Sequence, residues 1–155
     1  MKLDLSKLRW FDTDVHNKYP HLTKNESELW TSFLSLANKH FRRIAYDVPL
    51  HSDVPPALLQ RNSVDSNWAY LTALRLDVLA EEFSYFHIFE IKPVFDMKAI
   101  GQLFIYATLL PLTYMIDKEI IISVITEDCP DSMVTTSNEL GIIIYKASNN
   151  FNFRS

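Results

Sequence analysis

Cysteine and glycine are almost missing from this chain: its 155 residues include one cysteine and two glycines. A single thiol, Cys129, cannot make an internal disulfide, a cysteine-based zinc site or an iron–sulfur cluster, so a reducing, cytoplasmic setting is the expectation. Gly101 and Gly141 are too few to build a P-loop or a dinucleotide fingerprint, and no nucleophile elbow occurs. Residues Met1 to Lys7 interleave charges with leucines and lack the apolar stretch of a secretory signal. Internal repeats and low-complexity tracts are also lacking. The net charge of −4 leaves no excess of Lys and Arg for a broad nucleic-acid surface. A local basic cluster does occur at Lys39, His40, Arg42 and Arg43.

What the chain has is apolar side chains, 48% of the total, enough for one domain to bury a core without metal or disulfide staples. Residues 1–22 carry Trp10, Phe11, Tyr19 and Pro20 among polar residues and read as an extension packed on that domain. Thr23 with Glu26, and Asn25 with Glu28, are capping pairs for a helix running to about His40. Its apolar stripe is Leu29, Trp30, Phe33, Leu36, Ala37 and Phe41; Glu26 falls on that stripe and Glu28 opposite it. A strand is predicted from Phe41 to Leu50, followed by a proline-punctuated excursion to about Trp68. Ala73 to Glu81 and Tyr85 to Lys92 read as a hairpin turning between Phe83 and Ser84.

Asp96 then caps a helix from Met97 to about Leu110, Glu119 to Thr126 is a buried isoleucine-rich strand, and a short segment from Pro130 to Glu139 leads to a last strand, Gly141 to Lys146. The uncharged run from Ala99 to Ile116 is near the length of a membrane span, but Gln102, Thr108, Pro111 and Thr113 interrupt it and Asp117, Lys118 and Glu119 follow at once. A helix lying on a sheet is the reading, with no membrane partner. The expected fold is therefore α/β, a mixed sheet flanked by helices, over residues 23–147, with a polar, flexible tail at 148–155.

The residues that carry chemistry sit on the hairpin. Side chains alternate along a strand, so Ile88, Glu90 and Lys92 share one face, and Arg75, Asp77 and Leu79 share a face of the preceding strand. With the turn at Phe83 and Ser84, Asp77 stands opposite Glu90, with Cβ atoms about 4.5 to 5.5 Å apart. Opposed like charges destabilise a sheet unless something positive lies between them, and a hard divalent cation is suited to two carboxylates and water. Lys92 adds a cation one pleat away. Gln102 and Tyr106 lie on one face of the following helix, polar groups within an apolar run that require partners. The histidines, at 16, 21, 40, 51 and 87, show no metal spacing, and of these only His87 is near the hairpin residues in sequence.

This set resembles the PD-(D/E)XK nuclease superfamily, in particular its RecB-like branch with a QxxxY motif. The matching residues are Asp77, then Glu90-Ile91-Lys92, then Gln102 to Tyr106, with Glu26 as the extra acid of the first helix. Leu76 stands where the family's name places a proline, no glycine immediately precedes Asp77, and the lone cysteine excludes the iron–sulfur-bearing relatives. The resemblance implies a restriction-endonuclease-like core, helix-β-β-β-helix-β, and a Mg²⁺- or Mn²⁺-dependent deoxyribonuclease, an endonuclease in the main expectation and a non-catalytic nucleic-acid-binding or assembly module as the alternative. By the same resemblance Asp77, Glu90 and the Ile91 backbone carbonyl bind the metal, Glu26 assists through a water, Lys92 positions the attacking water, and Gln102 and Tyr106 line the site. DNA is the expected partner, with Lys39, Arg42, Arg43 and Lys98 as its candidate contacts, and a homodimer would suit the cutting of two strands.

Overall fold

The apolar runs assemble into one sheet with helices on both faces. The computed structural model describes residues 2–50 and 74–153. The predicted excursion beyond Leu50, with His51 and Ala73, lies outside the described residues. Six strands pair in sequence order: β1 (Trp10–Phe11), β2 (Arg43–Leu50), β3 (Leu74–Glu81), β4 (Tyr85–Ile91), β5 (Glu119–Thr126) and β6 (Ile142–Lys146). Neighbours among the first four are antiparallel, while β4, β5 and β6 run parallel. The mixed α/β class expected from the sequence is therefore present.

Parallel neighbours need crossovers, and these are helices α2 (Met97–Thr113) and α3 (Asp131–Glu139). Leu103, Tyr106 and Leu110 of α2 and Val134 of α3 pack on one face of the sheet with Leu79, Phe86, Ile88, Val124, Ile142 and Ile144. Helix α1 (Lys24–Ala37) covers the other face, placing Trp30, Phe33 and Leu34 against Ile44, Tyr46, Val78, Phe89 and Ile125. Its start is the predicted Thr23–Glu26 pair: Thr23 Oγ1 accepts the Glu26 N–H at 3.2 Å, and Glu26 Oε2 accepts the Thr23 N–H at 3.1 Å. Leu36, expected on the buried stripe, is exposed, and Leu34 is buried instead.

Helix α2 begins at Asp96, whose Oδ1 accepts the Ala99 N–H at 3.1 Å, and it runs one turn past the expected end with Pro111 inside it. Its outward face carries Phe104, Ile105 and Leu112, which is why the run resembles a membrane segment. No helix among the described residues is long and apolar enough to cross a membrane.

Both chain ends contribute to the packed domain. The N-terminal extension is part of the sheet, with β1 paired to β2, Tyr19 in the core and Leu3 bridged to Tyr114. The tail was expected to be flexible from residue 148. Instead Asn150, Phe151 and Asn152 all take left-handed φ values, turning the chain so that Phe151 enters the core beside Phe33, ring centroids 5.5 Å apart. The polar asparagines tolerate that backbone and hid the buried ring in the sequence. Phe151→Ala should lower the unfolding free energy by about 3 kcal/mol, read by urea denaturation; a frayed tail would leave the midpoint unchanged.

Candidate active site

The hairpin register is the predicted one. Val78 pairs with Phe89, Leu79 with Ile88, Ala80 with His87 and Glu81 with Phe86, so the next rung places Asp77 opposite Glu90. The ladder stops at Val78, before that rung. Instead of continuing the backbone pairing, Asp77 uses its side chain: Oδ2 accepts the Ile91 N–H at 2.9 Å. The N–H and C=O of an extended residue point to the same side of its strand, so the Ile91 carbonyl is directed toward Asp77 and no Leu76 rung engages it. The site lies at the carboxyl end of β4, where the chain leaves a parallel strand for a crossover helix.

Glu90 is 4% exposed, and its Oε2 is buried with no hydrogen-bond partner among the described residues. Its other oxygen lies 3.6 Å from Lys92 Nζ, a partly exposed ammonium. Burial pushes the Glu90 carboxyl up to about 8; the Asp77 charge adds to this and Lys92 opposes it. Burial likewise raises Asp77 to about 6, against the Ile91 hydrogen bond and Lys92, with Glu26 and Asp47 adding to the rise. The Asp77 charge thus disfavours ionisation of Glu90, whose burial keeps most of the solvent screening away from it.

Tyr106 joins this pair from α2. It is 5% exposed, and burial together with the charges of Glu90 and Asp77 pushes its phenol up to about 12. Gln102 lies one turn earlier with its side-chain oxygen buried and unpartnered among the described residues, and Lys98 lies a further turn back, exposed. Glu26 is half-buried rather than fully inward. Its carboxylate closes the α1 cap while its charge bears on both hairpin acids. No three His, Cys, Asp or Glu side chains among the described residues converge closely enough to hold a metal by themselves. The hard oxygen donors the site offers are Asp77, Glu90 and the Ile91 carbonyl.

Other expected residues lie elsewhere. Arg43 starts β2 opposite Glu81, pairs with that carboxylate and stacks 3.9 Å over the Trp10 ring. Burial raises Glu81, but hydrogen bonds from Lys118 and Arg43 outweigh it and hold the carboxyl below its usual range. Arg43 is therefore committed to the fold. Arg42 and Lys39 are exposed beside it, and the four residues from Glu81 back to Asp77 put this cluster about 13 Å from the acids. His87 is on the opposite face from Glu90, stacked on Phe89 at 5.6 Å near the hairpin turn, and burial lowers its pKa. A cavity of about 480 Å³ lined by Asn25, Glu28, Glu127 and Asp128 opens beside α1; none of its lining residues is Asp77, Glu90 or Lys92.

Sequence reading missed Asp47. It faces Asp77 from β2, has φ of +51°, and its Oδ2 contacts Arg75 Nη1 at 2.7 Å and His21 Nε2 at 3.1 Å. The available signal was an aspartate, a poor strand former, in the middle of a buried run and two residues before Pro49.

No family model and no curated protein matches this chain. Among solved structures it is similar to one titled as the crystal structure of protein VC1899 from Vibrio cholerae, with 12% identity and a TM-score of 0.49, covering 82% of this chain and 30% of that one. The chain thus spans under a third of that protein's length.

The raised carboxyls fix how stability depends on pH. Their folded-state pKa values exceed those of the unfolded chain, so their contribution is full below about pH 4 and is lost as pH rises through about 6 and about 8. Without divalent ions, the protein should unfold at lower temperature at pH 8 than at pH 5. Glu90→Gln should remove much of that slope and be more stable than wild type at pH 8 by on the order of 1 to 2 kcal/mol. A wild type that gains stability over this range, with Glu90→Gln following it, would contradict the electrostatics described.

Proposed function

We propose that this chain is a metal-dependent nuclease of the PD-(D/E)XK kind that hydrolyses DNA phosphodiester bonds, its sheet and helices forming a restriction-endonuclease-like core. The observation that carries the reading is the Asp77–Glu90 pair, with Glu90 buried, one of its oxygens unpartnered among the described residues, and Lys92 at 3.6 Å. A carboxylate left without a donor in the interior is costly, and a hard cation with oxygen ligands answers that cost. The donor set fits Mg²⁺ or Mn²⁺: two carboxylates and one main-chain carbonyl leave positions for water and for a phosphate oxygen, as Mg²⁺ in particular requires. Such an ion would supply a Lewis acid for the phosphoryl group, and Glu90, which burial favours in its protonated form, would hold it as the carboxylate.

The chain's own groups do the rest. Asp77, fixed by the Ile91 N–H, and Glu90, fixed by the β4–β5 pairing, hold the donors in place before substrate arrives. Lys92 projects from the end of β4 with its ammonium partly open to solvent, where it orients the attacking water and compensates negative charge gathering on the phosphate. Tyr106 and Gln102 close the α2 side, offering a phenol proton and an amide to the phosphate backbone, and Lys98 extends that side with a positive charge. Glu26 adds negative charge from α1 and acts through water rather than as a direct ligand. A non-catalytic nucleic-acid-binding or assembly module is the second reading, favoured by one observation: the exposed basic side chains of Lys39 and Arg42 are remote from the acids.

Supercoiled and single-stranded DNA should be cut in Mg²⁺ or Mn²⁺ and left intact in EDTA. Asp77→Ala and Lys92→Ala should each lower the rate roughly a hundredfold or more, as measured by gel or fluorescence assay. Cleavage that survives both substitutions would remove these residues from the mechanism. Retained binding with no metal-dependent cleavage would favour the second reading.

A further inference from the structure

The β2–β3 ladder is continuous except at one rung. Tyr46 pairs with Val78 and Val48 with Leu76, but Asp47 and Asp77 between them do not pair. Alternation is also broken there. Ile44 and Tyr46 face α1 while Val48 and Leu50 face α2, and on β3 Val78 and Ala80 face α1 while Leu76 faces α2. In a regular strand such residues share one face. Both strands therefore roll over at the same rung, and the left-handed backbone of Asp47 marks the pivot.

The pivot is anchored. The guanidinium of Arg75 donates to the Asp47 carboxylate at 2.7 Å and to its backbone carbonyl at 3.3 Å, gripping the left-handed residue at both ends, while His21 contacts the same carboxylate oxygen. The consequence falls on Asp77. In a regular sheet its side chain would stand up on one face. On the rolled rung it swings into the plane between β3 and β4 and takes the Ile91 N–H that the next backbone rung would have used.

We propose that Asp47, held by Arg75, is a positioning residue for Asp77, its left-handed turn placing the Asp77 carboxylate against Ile91 and opposite Glu90. The inference rests on the assignment of Asp77 to the metal site. It also assigns Asp47 a structural role, with Arg75 and His21 both engaging its Oδ2. Asn tolerates left-handed φ and accepts hydrogen bonds as Asp does, whereas Ala does neither.

The test compares wild type, Asp47→Ala and Asp47→Asn by amide hydrogen exchange in NMR and by Mn²⁺ binding. In Asp47→Ala the Ile91 amide should exchange on the order of tenfold faster while Val78 and Phe89 stay protected, and Mn²⁺ affinity should fall by a similar factor. Asp47→Asn should restore both to within about twofold of wild type. An Ile91 amide unchanged in Asp47→Ala, or one lost equally in Asp47→Asn, overturns the proposal; the second arm decides even if Asp47→Ala fails to fold. Wild type that binds no Mn²⁺ would defeat the nuclease reading instead, and the Ile91 comparison would still decide the positioning role.

Discussion

The site depends on one constraint: a buried carboxylate, Glu90, stands opposite a partly buried one, Asp77, where a sheet would normally place neutral or oppositely charged partners. Burial and mutual repulsion together disfavour the ionised pair, and Lys92 offsets only part of that. The surrounding elements act to keep the pair in place. Parallel pairing with β5 fixes Glu90, a side-chain hydrogen bond to Ile91 fixes Asp77, and α2 seals the α2-facing side with Tyr106. A sheet built only for stability would replace these acids with apolar residues of similar size, as burying paired charges rarely gains stability. Their presence is the physical argument for a cationic occupant.

The sheet is arranged so that the acids occur where its rules change. β3 and β4 are antiparallel, β4 and β5 parallel, and the ladder between the first two stops short of the Asp77–Glu90 rung. At that boundary the backbone no longer dictates where side chains go, and local devices take over: a carboxylate that replaces a backbone acceptor, and a left-handed aspartate gripped by an arginine. The opposite end of the hairpin is ordinary by comparison. There Glu81 is matched by Arg43 and Lys118, Arg43 stacks on Trp10, and the charges are neutralised by their neighbours. Two acid-bearing ends of one hairpin thus serve different purposes, one satisfied and one not.

Much of this was legible in the chain. Alternation, turn position and capping pairs located the hairpin, its register and the starts of α1 and α2, because each depends on residues close in sequence. Strand and helix periodicity put Glu90 and Lys92 on one face of β4 and Gln102 and Tyr106 on one face of α2, and the family resemblance linked the two. What stayed hidden depends on distant residues or on broken periodicity. Strict alternation put Arg75 and Asp77 on one face with Leu79, and the rolled rung at Asp47 separates them. Sequence spacing grouped Arg43 with Lys39 and Arg42 because it could not show that Glu81 and Trp10 claim Arg43. The burial of Phe151 depends on three consecutive left-handed residues, which no apolar period announces.

The central claim is that the Asp77–Glu90 pair is built for a divalent cation and holds a proton in its absence. Calorimetric titration of Mn²⁺ near pH 7, repeated in buffers of different ionisation enthalpy, measures both properties at once. The account predicts a single binding event that releases about one proton, with both the binding and the proton release lost in Glu90→Gln. Absence of Mn²⁺ binding, or binding without proton release that persists in Glu90→Gln, would contradict it.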